Sequence, residues 1–255
     1  MRVTVGDIAK VLETLAPREL AEEWDNPGLL AGSAGREVQR ILLALDLRPH
    51  VIDEAASLGA ELIVTHHPIL FRGRKNLVED DAEGALLCKL VRSECALIAV
   101  HTNFDSAERG VNDALAEKLG LREIQSLESG MRLGSVNPTQ FRELRATVGQ
   151  RLGDVVRAYG DPAREIRRVA VLGGAGGGYW RIAREAGADA YVTGEIAYHL
   201  GLEAMDEGLC VMEAGHAATE RPAIGLLKDG LQNALDALQW NIIVMESSQE
   251  PFVGA

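Results

Sequence analysis

Gly59-Ala60-Glu61-Leu62-Ile63-Val64-Thr65-His66-His67-Pro68 is a short apolar run that ends abruptly in two adjacent histidines. Leu62, Ile63 and Val64 are too few and too β-branched for a helix, so they predict a buried strand of an α/β layer. Pro68, which has no N–H to donate, ends the ladder. His66 and His67 then stand just past the carboxyl end of a strand, where open α/β sheets place their ligands. Side chains alternate along a strand, so both imidazoles serve one site only if the backbone is already turning there. A pair of metals, one imidazole each, also suits them. Taken alone, a solvated turn with one histidine capping a neighbour explains the pair as well; the rest of the chain weighs against it.

Just upstream, residues 38–45 predict a strand, and Arg48-Pro49 opens a helix in which Val51, Ile52, Ala55 and Leu58 share a face. Gly59 closes that helix, which makes a βαβ unit with parallel pairing. Nearer the start, residues 4–15 carry helical spacing with Asp7 as N-cap and Pro17 as a stop. Residues 22–29 contain the turn chemistry Asn26-Pro27-Gly28, read as a tight turn stapled by Trp24.

Downstream, residues 71–81 are charged and turn-rich, residues 85–91 predict a helix, and residues 96–100 a strand ending in His101-Thr102-Asn103-Phe104-Asp105. A third histidine thus follows a strand, with a carboxylate four residues on. A helix over 111–119 precedes an irregular stretch near Ser129-Gly130. The domain boundary is expected there, giving lobes of residues 1–128 and 129–255.

The second half repeats the first. After a mixed region with a helix over 139–152 come a strand (166–172), the loop Gly173-Gly174-Ala175-Gly176-Gly177-Gly178 and a helix (179–186). Gly187-Ala188-Asp189-Ala190-Tyr191-Val192-Thr193-Gly194-Glu195 then echoes residues 59–67 at a constant offset of 128. A strand over 209–212 leads to His216-Ala217-Ala218-Thr219-Glu220, again histidine, three residues and an acid. Two echoes in the same order predict two related α/β lobes with mixed sheets flanked by helices. A helix over 222–238 and a strand over 240–244 finish the second lobe. The glycine loop does not fit G-x-G-x-x-G, and no Lys-Ser/Thr follows as a P-loop requires, so a tight strand-to-helix turn is expected.

The 255 residues are 47% hydrophobic and carry a formal charge of −12, which disfavours non-specific binding to phosphate backbones unless a local basic pocket intervenes. No leader pattern and no apolar run of spanning length appear, and a cytoplasmic protein is expected. Cys88, Cys95 and Cys210 form no C-x-x-C pair, which argues against a disulfide framework and against a thiolate zinc site. They read as core thiols.

Four of the six histidines, His66, His67, His101 and His216, stand at strand ends. With Asp105 and Glu220 they form a sulfur-free donor set suited to Zn, Fe or Mn rather than to Ca or Mg. Six donors exceed one four-coordinate ion, so two divalent transition-metal ions per chain are expected, in a cleft between the lobes.

These motifs together resemble the Nif-three-like family of dinuclear-metal hexameric proteins, often labelled GTP cyclohydrolase I type 2-like. The carriers are Trp24-Asp25-Asn26-Pro27-Gly28-Leu29, Thr65-His66-His67-Pro68, His101 to Asp105, Thr193-Gly194-Glu195 with His199, and Gly215-His216 with Glu220. The resemblance implies metal ligation by His66, His67, Asp105, His216 and Glu220, with His101 either ligating or lining the site. It also implies two α/β lobes without an inserted domain and a homohexamer. Relatives often show Asp where this chain has Glu195. Glu195 and His199 are read either as a proton-transferring pair or as an exposed acid and a helix-surface histidine. A metal-dependent hydrolase and a non-catalytic metal-binding scaffold or regulatory assembly both remain open readings.

Overall fold

The computed structural model describes residues 2–248 as two compact units, one running to Ala107 and resuming at Ile224, the other spanning Glu108–Ala223. This division differs from the expected boundary at 128/129. The strand expected to finish the second lobe, β11 (Ile243–Glu246), pairs in parallel with β2 (Arg40–Ala44) of the first sheet. Backbone pairing, which local sequence does not reveal, returns the end of the chain to the first unit.

In the first unit, α1 (Val5–Leu15) buries Val5, Ile8, Val11 and Leu12 on one face. Its N-cap is Thr4, with Asp7 at the third helical position completing a capping box, so the expected cap was misplaced by one turn. β1 (Gly28–Ala31), which overlaps the end of the stretch 22–29 read as a turn, pairs antiparallel to β4 (Ala96–Ala99). β2, β3 (Leu62–Thr65) and β4 run parallel, joined by α2 (Pro49–Leu58) and α3 (Ala82–Arg92). The sheet order is β1-β4-β3-β2-β11. Pro49 opens α2, where its missing N–H costs nothing, and Gly59 closes it at φ 65°. Leu42, Ile63 and Leu97 from three adjacent strands pack on Val51, Ile52 and Leu90 of the helices. All four residues of β3 are buried, as the apolar run predicts. The one-turn helix α4 (Thr102–Ser106) follows β4 directly, and α10 (Pro222–Ala237) precedes β11.

In the second unit, α5 (Val111–Lys118) leads to β5 (Arg122–Ser126), β6 (Arg132–Gln140), α6 (Phe141–Leu152) and β7 (Arg157–Tyr159). β8 (Glu165–Leu172), α7 (Trp180–Glu185), β9 (Ala190–Thr193), α8 (Tyr198–Asp206) and β10 (Cys210–Glu213) follow, and α9 (His216–Glu220) closes the series. The sheet order is β5-β6-β8-β9-β10-β7, with the β8-β9-β10 core parallel and the flanking strands antiparallel. Both faces are covered. Val169, Val171, Val192 and Met212 meet Leu144 and Val148, whereas Ala170, Leu172, Tyr191 and Val211 meet Trp180 and Ala204.

Each unit therefore holds the same parallel β-α-β-α-β core. The repeat extends to single hydrogen bonds: Val100 N–H donates to the Thr65 carbonyl at 2.9 Å, and Ala214 N–H to the Thr193 carbonyl at 2.8 Å. Cys95 and Cys210 are buried, Cys88 is half-buried, and all three are free thiols. Burial pushes the Cys95 thiol up to about 11, which keeps it protonated and unreactive. No helix among the described residues is long and apolar enough to cross a membrane.

Candidate metal centre

His66 and His67 follow β3 and His101 follows β4, so two neighbouring parallel strands deliver three imidazoles to the same sheet end. The chain does turn at Thr65, whose hydroxyl donates to the His67 carbonyl at 2.9 Å. This lets consecutive histidines face together. The His66 ring centroid lies 4.8 Å from that of His67 and 5.2 Å from that of His101. One ring nitrogen from each of the three falls within 4.8 Å of the other two.

What stands behind each ring is as informative as the cluster itself. His66 Nδ1 meets the Val100 carbonyl at 2.8 Å, His67 Nδ1 meets Asp46 Oδ1 at 2.9 Å, and His101 Nδ1 meets Asp25 Oδ1 at 2.8 Å. An acceptor at Nδ1 holds the proton there and leaves Nε2 as the nitrogen with a lone pair to give, the usual arrangement behind metal-ligating histidines. Three imidazoles prepared alike, one of them only 2% exposed, are a donor set that fits a divalent transition metal. Asp105 joins the cluster from α4, with Oδ1 3.5 Å from His66 Nε2.

Asp25 is anchored further. Its Oδ2 accepts from the Thr102 N–H at 3.0 Å and from the Thr102 hydroxyl at 2.5 Å. Burial alone would raise its pKa, but the bonds to His101 and Thr102 outweigh it and hold the carboxyl at about 2. Asn103 accepts the His101 N–H at 2.8 Å and donates to the Ala16 carbonyl at 2.7 Å, fixing the start of α4.

In the second unit, His216 and Glu220 share one face of α9, as the i, i+4 spacing predicts, with Nε2 and Oε1 3.1 Å apart. Glu220 is the last residue of that helix. Glu195 Oε1 meets His216 Nδ1 at 2.9 Å from a largely exposed position. His199 sits on the exposed face of α8 with no polar partner among the described residues. The glycine loop packs beneath this group. A Cβ on Gly174, which holds φ +61°, would fall on Glu220 Oε1. Tyr191 steadies the loop by donating its hydroxyl to the Gly176 carbonyl at 2.7 Å. The loop is a tight support for the His216–Glu220 pair, in line with the expected turn.

The chain matches the Duf34/NIF3 (NGG1p interacting factor 3) family over residues 3–251. It belongs to that family. A DUF34/NIF3 relative from Streptomyces coelicolor, named GTP cyclohydrolase 1 type 2 homolog, is 36% identical and aligns with 94% of this chain and 90% of its own. A hypothetical protein of Staphylococcus aureus superposes with a TM-score of 0.95 at 28% identity, covering 100% of both chains. A Bacillus cereus protein related to NIF3 gives 0.94 at 25% identity, over 100% of this chain and 99% of its own.

Two residues behind the DUF34/NIF3 imidazoles escaped the sequence reading. Asp25 lies in a motif read as a turn and as a carrier of the family resemblance, with no role for its carboxylate, and nothing in the local sequence around Asp46 marks it. The signal for Asp46 is positional: it stands two residues past β2, the parallel neighbour of β3, hence at the same sheet end as His67. Trp24, expected to staple its turn, is instead 56% exposed and packs against Phe71 and His101.

Proposed function

We propose that this chain is a dinuclear-metal protein acting as a metal-dependent hydrolase. His66, His67, His101, Asp105, His216 and Glu220 would hold two divalent ions, Zn, Fe or Mn. The observation that carries this reading is the occupation of all three Nδ1 atoms of the His66–His67–His101 cluster, which presents three Nε2 atoms as ligands. Such ions supply Lewis acidity and lower the pKa of a bound water toward neutrality. Asp25 and Asp46 orient His101 and His67, and the Val100 carbonyl orients His66. Glu195 holds His216 by its Nδ1 and is the exposed carboxylate placed to accept a proton, with His199 on the following helix as the acid that returns one. The relatives' name puts GTP among the first compounds to screen, beside phosphoesters and cyclic amides. A cytoplasmic homohexamer completes the proposal, and light scattering tests the assembly.

Elemental analysis tests the centre. About two transition-metal ions per chain are expected, falling on chelation and in His66→Ala and Glu220→Ala but unchanged in His50→Ala, which lies in the first turn of α2 and in neither histidine-bearing group. A metal-free parent, or mutants that keep the full ratio, would falsify the ligand set. Full loading with no exchangeable solvent on the ions and no hydrolysis across the screen leaves the scaffold or regulatory assembly as the function.

A further inference from the structure

Exposed aromatic area has a cost, and this chain places two large rings in the open beside its imidazole cluster. Trp24 is 56% exposed and Phe71 45% exposed, with ring centroids 5.4 Å apart and planes tilted by 54°. Both meet His101 edge-on, at 6.0 Å and 6.1 Å between centroids. The rings are held rather than loose. Trp24 precedes the anchored Asp25, and Asn26 donates to the Leu70 carbonyl at 2.7 Å, tying the Trp24 turn to the residue before Phe71. Phe71 opens the run Arg72-Gly73-Arg74-Lys75 in a protein of net charge −12. Arg74 is engaged by Asp81 and Glu83, whereas Arg72 and Lys75 are exposed and have no carboxylate partner among the described residues.

We propose that Trp24 and Phe71 form a stacking platform, and Arg72 and Lys75 an anion site, for a small molecule that joins a planar aromatic ring to an anionic group, the chemistry of a mononucleotide. The inference names a substrate class for the imidazole centre and so rests on the reading of that centre as the reacting site. A preformed aromatic face binds any planar ring, because every such ring has a π-face to offer. Cations on the adjoining loop then select among ringed molecules for those carrying negative charge. The direction of binding follows from the neighbours. Glu22 and Glu23 precede Trp24 and are exposed, so a ring on Trp24 has its anionic group on the side of Arg72 and Lys75. With His101 touching both rings, the occupant lies against the imidazole cluster.

The probe is AMP, compared with adenosine, which lacks the anion, and ribose 5-phosphate, which lacks the ring. Calorimetry on the metal-loaded protein should rank AMP tightest. Trp24→Ala should weaken AMP about tenfold or more, on the scale of one base–aromatic stack, and leave ribose 5-phosphate unchanged. Trp24→Phe should restore most of the loss. The Arg72→Ala/Lys75→Ala double variant should weaken AMP and ribose 5-phosphate together, in a salt-dependent way, and spare adenosine. AMP affinity within twofold of the parent in both Trp24→Ala and Phe71→Ala overturns the platform. So does a Trp24→Ala variant that breaks an oligomer apart without changing AMP affinity, because the rings then face a second copy of the chain. Metal content measured on the same samples separates the two readings. Trp24-dependent AMP binding by a protein that takes up no metal overturns the centre and keeps the platform; full metal loading without Trp24-dependent binding does the reverse.

Discussion

After β3, Thr65 leads into His66 and His67; after β9, at the same backbone place, Thr193 leads into Gly194 and Glu195. Both threonines are fully buried, and each accepts at its carbonyl the same N–H from the strand beyond. The side chains that follow differ because the space does. A Cβ on Gly194 would stand 2.5 Å from the Gly174 carbonyl oxygen and 2.8 Å from His216 Cα, closer than real side chains come. The glycine loop that supports His216 and Glu220 thus occupies the volume that His66 fills in the other unit. The repeat keeps the hydrogen-bonded frame and gives up the side chain wherever a neighbouring loop claims its place.

The two ends also differ in what holds the imidazoles. His101 is backed by a carboxylate whose side chain is fully buried, His216 by one that is 59% exposed. Buried acceptors fix a ring more tightly, since water competes less for the bond.

Four measurements would break or sharpen this comparison. The largest effect concerns a buried ion pair in the second unit that has no buried Arg or Lys counterpart among the described residues of the first. Arg132, 3% exposed, takes both oxygens of Asp113 at 2.7 and 2.8 Å. Asp113→Ala should cost about 3 kcal/mol in denaturant unfolding; a loss below about 1 kcal/mol would show that the unit does not depend on the pair.

Next comes the space argument. Gly194→Ala should destabilise by about 1–3 kcal/mol through overpacking and displace His216, seen as a shifted imidazole resonance. An unchanged resonance and stability would mean that the glycine is not required by packing.

The third measurement compares the acceptors. Asp25→Asn and Asp46→Asn should each weaken metal binding about 10–100-fold in competition with a chelator. Glu195→Gln should weaken it less, while lowering any turnover about 10²–10⁴-fold if it accepts the proton. Equal losses of metal affinity at all three positions would erase the distinction between buried and exposed support.

The smallest effect lies where the chain end returns to the first sheet. Glu54 bonds the Ser247 hydroxyl and accepts from Ser248 N–H at 2.9 Å and its hydroxyl at 2.7 Å. Burial would raise its pKa, but these bonds outweigh it and the value falls below the ordinary one. A depressed folded-state value means that the contribution is present above the ordinary carboxylate range and is lost as pH falls through the lowered value. Glu54→Gln should flatten that acid-side loss and cost at most about 1 kcal/mol at neutral pH. A steeper acid-side loss in the variant would reverse the assignment.

Much of this was legible in the residues. The apolar run into His66-His67, the offset repeat at 187–195 and the two His-x₃-acid segments identify parallel strands and the histidine-bearing segments that follow them, because strand patterning and helical i, i+4 spacing are local properties. The antiparallel strands were not legible: β1, β5 and β7 are short and largely outside the core, and only the first three residues of the nine-residue β6 are buried, so none carries a period strong enough to distinguish it from a loop.

Tertiary structure decided the rest. It placed β11 beside β2, Asp25 and Asp46 behind their histidines, and Trp24 outward beside Phe71. Each of these joins residues distant in the chain: 76 positions separate Asp25 from His101 and 21 separate Asp46 from His67. A contact of that kind depends on which strands become neighbours, so local sequence determines the groups that could meet and only the folded sheet decides which of them do.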